Sequence, residues 1–198
     1  MLQHTLLLLL WATFGLLHSL LAADRVKEKI ARWWGAGFIY YRLVYSVLAF
    51  IQLGLIGWYQ FSITSPVLWL TPAFIQVVLV FTSLTGLVLM CVMIRKYFFH
   101  LSGIDVFFTT NHSAPFLVTT GLHSKMRHPL YTGTLLFLWS LCLLFPRAAH
   151  LLSVATITLY TIIGARLEEA KLAKTFGAAY SLYKKQVPML IPSLRFKK

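Results

Sequence analysis

Three short runs carry the residue types best suited to chemistry: Pro115-Phe116-Leu117-Val118-Thr-Thr-Gly121, Met126-Arg127-His128-Pro129-Leu130-Tyr131, and Arg166-Leu167-Glu168-Glu169. Pro129 suits the first turn of a helix, where its missing N–H costs nothing. His128 is then expected at the cap, beside unpaired backbone donors and the positive end of the helix dipole. Such a helix start favours an anionic or carbonyl-bearing ligand group. The plainer alternative is an Arg-His pair that anchors the helix at a membrane interface. Glu168 and Glu169 are two of only three acids after residue 28, and they follow directly on an apolar run. An acid in that position is costly unless it is paired or used. Arg166, Lys171 or Lys125 would be the partner if the role is a salt bridge. Neighbouring helical residues point about 100° apart, so the two glutamates are not expected to share one pocket.

The elements that must hold these residues are read from the uncharged runs. Leu2 to Ala23 contains no Asp, Glu, Lys or Arg, and at about 1.5 Å per residue it is long enough to span a bilayer. Its start, Met1-Leu2-Gln3-His4, lacks a positive n-region, so it is read as a retained anchor rather than a signal peptide. Further spans are expected from about Leu43 to Phe61, from near Pro66 to Ile94, from Leu130 to Phe145 and from His150 to Gly164. Only Pro146-Arg147-Ala148-Ala149 separates the last two, which makes them an antiparallel helical hairpin. The expected architecture is an all-α integral membrane domain over residues 1–198 with about five transmembrane helices. Three spans fall in 1–95; the loop 96–129, the hairpin and a cytoplasmic C-terminal helix fall in 96–198. A non-spanning stretch as long as 96–129 is usually functional or disordered, and its aromatics and four histidines favour function.

Composition agrees with lipid as the solvent. The chain is 59% hydrophobic and 12% charged, against about 25% charged for an ordinary soluble domain. The formal net charge of +13 would suggest nucleic acid in a soluble protein, but here the cations lie between apolar runs and no nucleic-acid motif accompanies them. Counted along the chain, the connections are rich, empty, rich, poor and rich in Lys and Arg. That alternation predicts the N-terminus outside and the C-terminus in the cytoplasm. Cys91 and Cys142 sit inside apolar stretches with no zinc spacing and read as packing residues.

In order and spacing the motifs above, continued by Phe176-Gly177, Tyr180, Tyr183 and Val187-Pro188, resemble the isoprenylcysteine carboxyl methyltransferase family of membrane enzymes. The match covers roughly residues 115 to 192. The resemblance implies S-adenosylmethionine as cofactor, held by Pro115, Phe116, Leu117 and Val118 largely through backbone, by His128, Pro129, Leu130 and Tyr131, and by Glu168. His123 stands where the family has a tyrosine near the cofactor. Gly164 stands where prenylcysteine enzymes place a substrate-contacting arginine, and the nearby Arg166 is shifted by two positions. His18-Ser19 and Tyr41-Arg42-Leu-Val-Tyr45 look instead like membrane thiol methyltransferases and a denitrification-associated membrane family, which leaves the substrate open.

The implied activity is methyl transfer to a small or lipophilic thiol or carboxylate, such as isoprenylcysteine, with the acceptor entering from the bilayer. Arg166 and His123 are the catalytic candidates, the first to orient an anionic substrate and the second to assist a thiol. A non-catalytic or haem- or metal-associated protein is the alternative, because His100, His112, His123 and His128 crowd one region. Their gaps match no usual zinc pattern, and no metal ligand set is assigned.

Overall fold

The computed structural model describes residues 1–102, 104 and 116–192, and of residues 98–101 the backbone alone. The helices are α1 (Leu2–Ala22), α2 (Asp24–Trp34), α3 (Tyr41–Ser62), α4 (Ala73–Ser102), α5 (Pro129–Leu144) and α6 (Ala148–Gln186), with 3₁₀ turns at Gly35–Tyr40 and Gly121–Ser124. No strand occurs among the described residues, where Val67 and Arg147 form an isolated bridge. Four helical stretches among them are long and apolar enough to cross a membrane: Leu2–Ala22, Asp24–Ser62, Ala73–Tyr97 and Ala148–Gln186; Pro129–Leu144 is a shorter apolar helix. The chain is an all-α integral membrane protein.

Four boundaries differ from the sequence reading, one of them the end of α4, which runs on to Ser102 rather than stopping at Ile94. Helix α4 starts at Ala73 rather than near Pro66, because Pro72 disfavours helical backbone at Thr71 before it. Gln76 closes the new end by bonding to the carbonyls of Pro72 and Thr71. The basic connection after α1 is itself helical, as α2. The last apolar run and the C-terminal helix form one element, since residues 165–176 are rich in strong helix formers and contain no proline. Within α6 only Gly177 leaves helical geometry, at φ 55° and ψ −125°, a backbone that glycine tolerates best.

The chain divides into two compact units. One comprises Met1–Leu68, Arg147–Thr156 and the described part of Tyr97–His112. Leu7, Ile56, Ile63 and Ala149 form its core, with Trp11, Phe14 and Leu152 packed around them. Polar groups inside this unit are matched to each other: Trp11 Nε1 donates to Ser153 Oγ at 2.8 Å, and Ser153 Oγ donates to Gln60 Oε1. The Ala149 amide donates to Ser65 Oγ at 2.8 Å. His18, an unusual residue for a span, meets the Tyr45 hydroxyl at 2.6 Å, an interhelical contact of the kind that secures polar groups in lipid.

The second unit comprises Trp69–Lys96, Ile157–Lys198 and Ser113–Pro146, and holds all three sequence runs. In it α4 and α5 cross at Gly86 and Gly133, so closely that a Cβ built on Gly86 would lie 2.6 Å from the backbone nitrogen of Phe137. Trp139 on α5 donates to Thr158 Oγ1 on α6 at 3.0 Å, tying the hairpin together. Tyr180, Tyr183 and Val187 make a buried cluster against Leu117, Leu172 and Phe176.

Candidate functional site

The site begins with a proline. Pro129 opens α5, and His128 is its N-cap residue, as the sequence indicates. The backbone just before that helix start is engaged by a returning segment. Val187-Pro188 ends α6 and turns the chain back across this helix start. The amide of Arg127 donates to the Pro188 carbonyl at 2.9 Å and that of His128 to the Met189 carbonyl at 3.1 Å. Thr132 Oγ1 donates to the Leu190 carbonyl at 2.7 Å. The amides that precede α5 are thereby committed, and Pro129 has none to offer.

Glu169 is the hub beneath this turn. Its carboxylate is 4% exposed and receives Arg127, whose own side chain is 7% exposed, at 2.6 Å from Nη2 and 2.7 Å from Nε. His128 Nε2 lies 3.3 Å from the same oxygen, and Lys184 Nζ lies 2.9 Å from the other. The remaining Arg127 nitrogen, Nη1, donates to the carbonyls of Lys184 and Val187. A carboxylate among two cations and a ring N–H is ionised and satisfied. Because the carboxylate accepts at Nε2, that nitrogen of His128 carries the proton.

Glu168 faces another way. It is 49% exposed, its Oε2 accepts from the Tyr131 hydroxyl at 3.0 Å, and it stands 3.7 Å from His128 Nδ1. The rings of His128 and Tyr131 stack at 5.2 Å between centroids and 7° between planes. The two glutamates do diverge, as adjacent helical residues must, yet both reach His128. An imidazole has nitrogens on opposite edges, so one ring bridges two directions. The result is a half-exposed carboxylate, oriented by a phenol, at the rim of a flat aromatic pair. That arrangement suits a ligand carrying positive charge and a planar ring.

The other expected residues are distributed around this cluster. Leu117 packs into the Tyr180 core, while Phe116 is exposed and Val118 half-buried. Pro129 is buried and Leu130 half-buried. Pro115 and His112 lie outside the described residues, as does the His100 side chain. His123 sits in the 3₁₀ turn, where its carbonyl accepts from Tyr183 Oη at 2.6 Å. Burial lowers its pKa below the ordinary 6.5, with the charges of Lys96 and His128 adding to the effect. It is therefore neutral at pH 7, with a ring nitrogen able to accept a proton. The unfolded chain binds that proton more readily, so stability attributable to His123 is complete above about pH 6.5 and falls as acid titrates the unfolded state. The thermal midpoint in detergent is expected to drop between pH 7 and pH 5.5, and to drop less in His123→Gln. Arg166 is exposed and makes no hydrogen bond or ion pair among the described residues; the structure does not bring it to the cluster. Among the described residues no group of three or more His, Cys, Asp or Glu is placed to hold a metal.

The profile of a known family, described as NnrU protein, matches residues 6–192. The chain belongs to the NnrU family. Named proteins similar to this chain include methanethiol S-methyltransferase 1 of Bradyrhizobium diazoefficiens, 34% identical over 93% of the chain and 65% of the relative. Methanethiol S-methyltransferase 2 of the same organism is 32% identical over 94% of the chain and 72% of its own length. A methanethiol S-methyltransferase of Crocosphaera subtropica is 28% identical over 90% of the chain and 71% of its own length. The chain thus spans about two thirds of the length of these relatives. No solved structure matches at the same stringency. Sequence reasoning overlooked the Arg127–Glu169–Lys184 cluster. The signal was present in the second glutamate, whose neighbour took the attention, and in Val187-Pro188, which announces a chain reversal.

Proposed function

We propose that this protein is a membrane-embedded methyltransferase that uses S-adenosylmethionine to methylate a small thiol, with its C-terminus and the Glu168 site on the cytoplasmic side. The reading is supported by the names of its relatives and carried by one observation: the half-exposed Glu168 carboxylate held against the stacked His128–Tyr131 pair. The donor set fits the cofactor. An exposed carboxylate receives an ammonium or hydroxyl group, and the aromatic pair flanks a nucleoside. When bound, S-adenosylmethionine supplies an electrophilic methyl group.

The protein's part is binding, alignment and exclusion of water. Glu168 accepts hydrogen bonds, and Tyr131 fixes the carboxylate rotamer. His128 is held in one tautomer by Glu169. Phe116, Leu117 and Val118 complete the wall on the loop side, and Pro129 and Leu130 set the turn. His123, neutral at pH 7, takes the proton of the thiol as its sulfur becomes nucleophilic. Arg166 is left to the interface, where a long cationic side chain extends its head group to water. The acceptor, an apolar thiol, partitions into the bilayer and reaches the site from there.

Glu168→Gln keeps the shape and removes the charge. A charge-assisted hydrogen bond contributes about 1.5–3 kcal/mol, so affinity for S-adenosylmethionine by calorimetry in detergent is expected to fall roughly 10- to 100-fold. Methyl transfer from labelled donor to methanethiol falls with it, while the thermal midpoint stays near that of the parent. Near-normal affinity in this variant would remove Glu168 from the site. Transfer to prenylcysteine analogues but not to thiols would overturn the choice of acceptor.

A further inference from the structure

The connection between α1 and α3 is built as a surface helix. Ala23 takes extended backbone at φ −70° and ψ 134°, and Gly35 takes φ 54° and ψ −127°. These two breaks set α2 off from the spans on either side, so it prolongs neither. At 100° per residue, Val26, Ile30, Trp33 and Trp34 fall within an arc of about 100°, and Asp24, Arg25, Glu28, Lys29 and Arg32 within about 140° on the other side. The exposures agree. The five charged residues of that second arc are exposed, Val26 and Ile30 are half-buried, and none of the helix is fully buried. Trp33 is 86% exposed on the apolar side.

We propose that α2 lies in the plane of the membrane surface and is a docking face for anionic lipid head groups. Its eleven residues reach about 16 Å between the ends of two apolar helices of 21 and 22 residues, so it must run where those spans meet water. A Trp on the apolar arc belongs at head-group depth. The charge selects the lipid. Asp24 is engaged by Lys27 at 3.7 Å, whereas Arg25 and Lys29 make no hydrogen bond or ion pair among the described residues. Those cations, with Arg32, whose Nε donates to the Glu28 carbonyl at 3.3 Å, form a positive edge. Each cation near an anionic surface favours it by roughly fivefold. The inference is independent of the reading of Glu168.

The test uses the full chain released from nanodiscs of equal phosphatidylglycerol and phosphatidylcholine, with retained lipids counted by native mass spectrometry. The parent is expected to retain mostly phosphatidylglycerol. The combined variant Arg25→Gln, Lys29→Gln, Arg32→Gln is expected to lower the ratio at least tenfold, and Lys171→Gln with Lys174→Gln to leave it unchanged. An unaltered ratio in the triple variant, or an equal loss in the control, overturns the proposal. A second measurement reads depth, with a fluorophore attached at Trp33→Cys or Lys29→Cys in a Cys91→Ser, Cys142→Ser background. Lipids brominated along the acyl chain should quench position 33 and spare position 29. Equal quenching at both positions would show that α2 does not lie in the surface.

Discussion

Glu169→Ala is expected to destabilise the protein by about 3–5 kcal/mol, the usual result of removing one partner from a buried ion pair. The variant leaves the Arg127 guanidinium in a nearly closed space with carbonyls as its only acceptors, and it takes the acceptor from His128 Nε2. Lys184 contributes little to the loss: it is 54% exposed, so water replaces its partner. Thermal unfolding in detergent checks the magnitude. Faster proteolysis after Gln186 checks the mechanism, because Arg127 also holds the carbonyls of the returning segment. The combined variant Arg127→Met, Glu169→Leu should recover part of the stability, since the charge that would be stranded is gone. No recovery in the double variant would mean that the pair acts through the segment it clamps rather than through its own desolvation.

The second large effect is expected at the α4–α5 crossing. A Cβ on Gly86 would meet Phe137 N at 2.6 Å and Gly133 O at 2.9 Å, and one on Gly133 would meet Gly86 O at 3.0 Å. These are backbone atoms, so a side chain is admitted only if the helices part. In lipid, helix association depends on close packing, because the acyl chains supply no hydrophobic drive. Gly86→Ala should cost roughly 1–3 kcal/mol, as overpacking does, and Gly86→Leu should abolish a monodisperse folded peak in size-exclusion chromatography. Gly54→Leu is the control: a Cβ there meets nothing within 4 Å, and stability should be unaffected. Equal tolerance at positions 86 and 54 would contradict the crossing.

What the sequence revealed depended on whether the signal was local. Spans α1 and α3 follow from uncharged runs of sufficient length. The hairpin follows from a connection too short for any other arrangement. The start of α4 was misplaced because apolar residues before Pro72 continue the run without continuing the helix. Helix α2 was hidden by its charges, although Val26, Ile30 and Trp33 hold its period. At the site, the helix start at Pro129 and the approach of Glu168 to His128 were legible from motif order. The Arg127–Glu169 pair was not: its members are 42 residues apart, and their meeting depends on where the chain reverses after Val187. No local pattern states which of two adjacent acids turns inward.

The part of α6 that precedes its break at Gly177 has a mechanical consequence within the second unit. From Ile157 to Glu169 it is an uninterrupted helical run of about 18 Å. A helical run without a break turns as one body. Any change of inclination therefore carries Glu168 and Glu169 together, as points on one lever. Whatever repositions the buried Glu169 pair thus repositions the exposed Glu168 carboxylate as well.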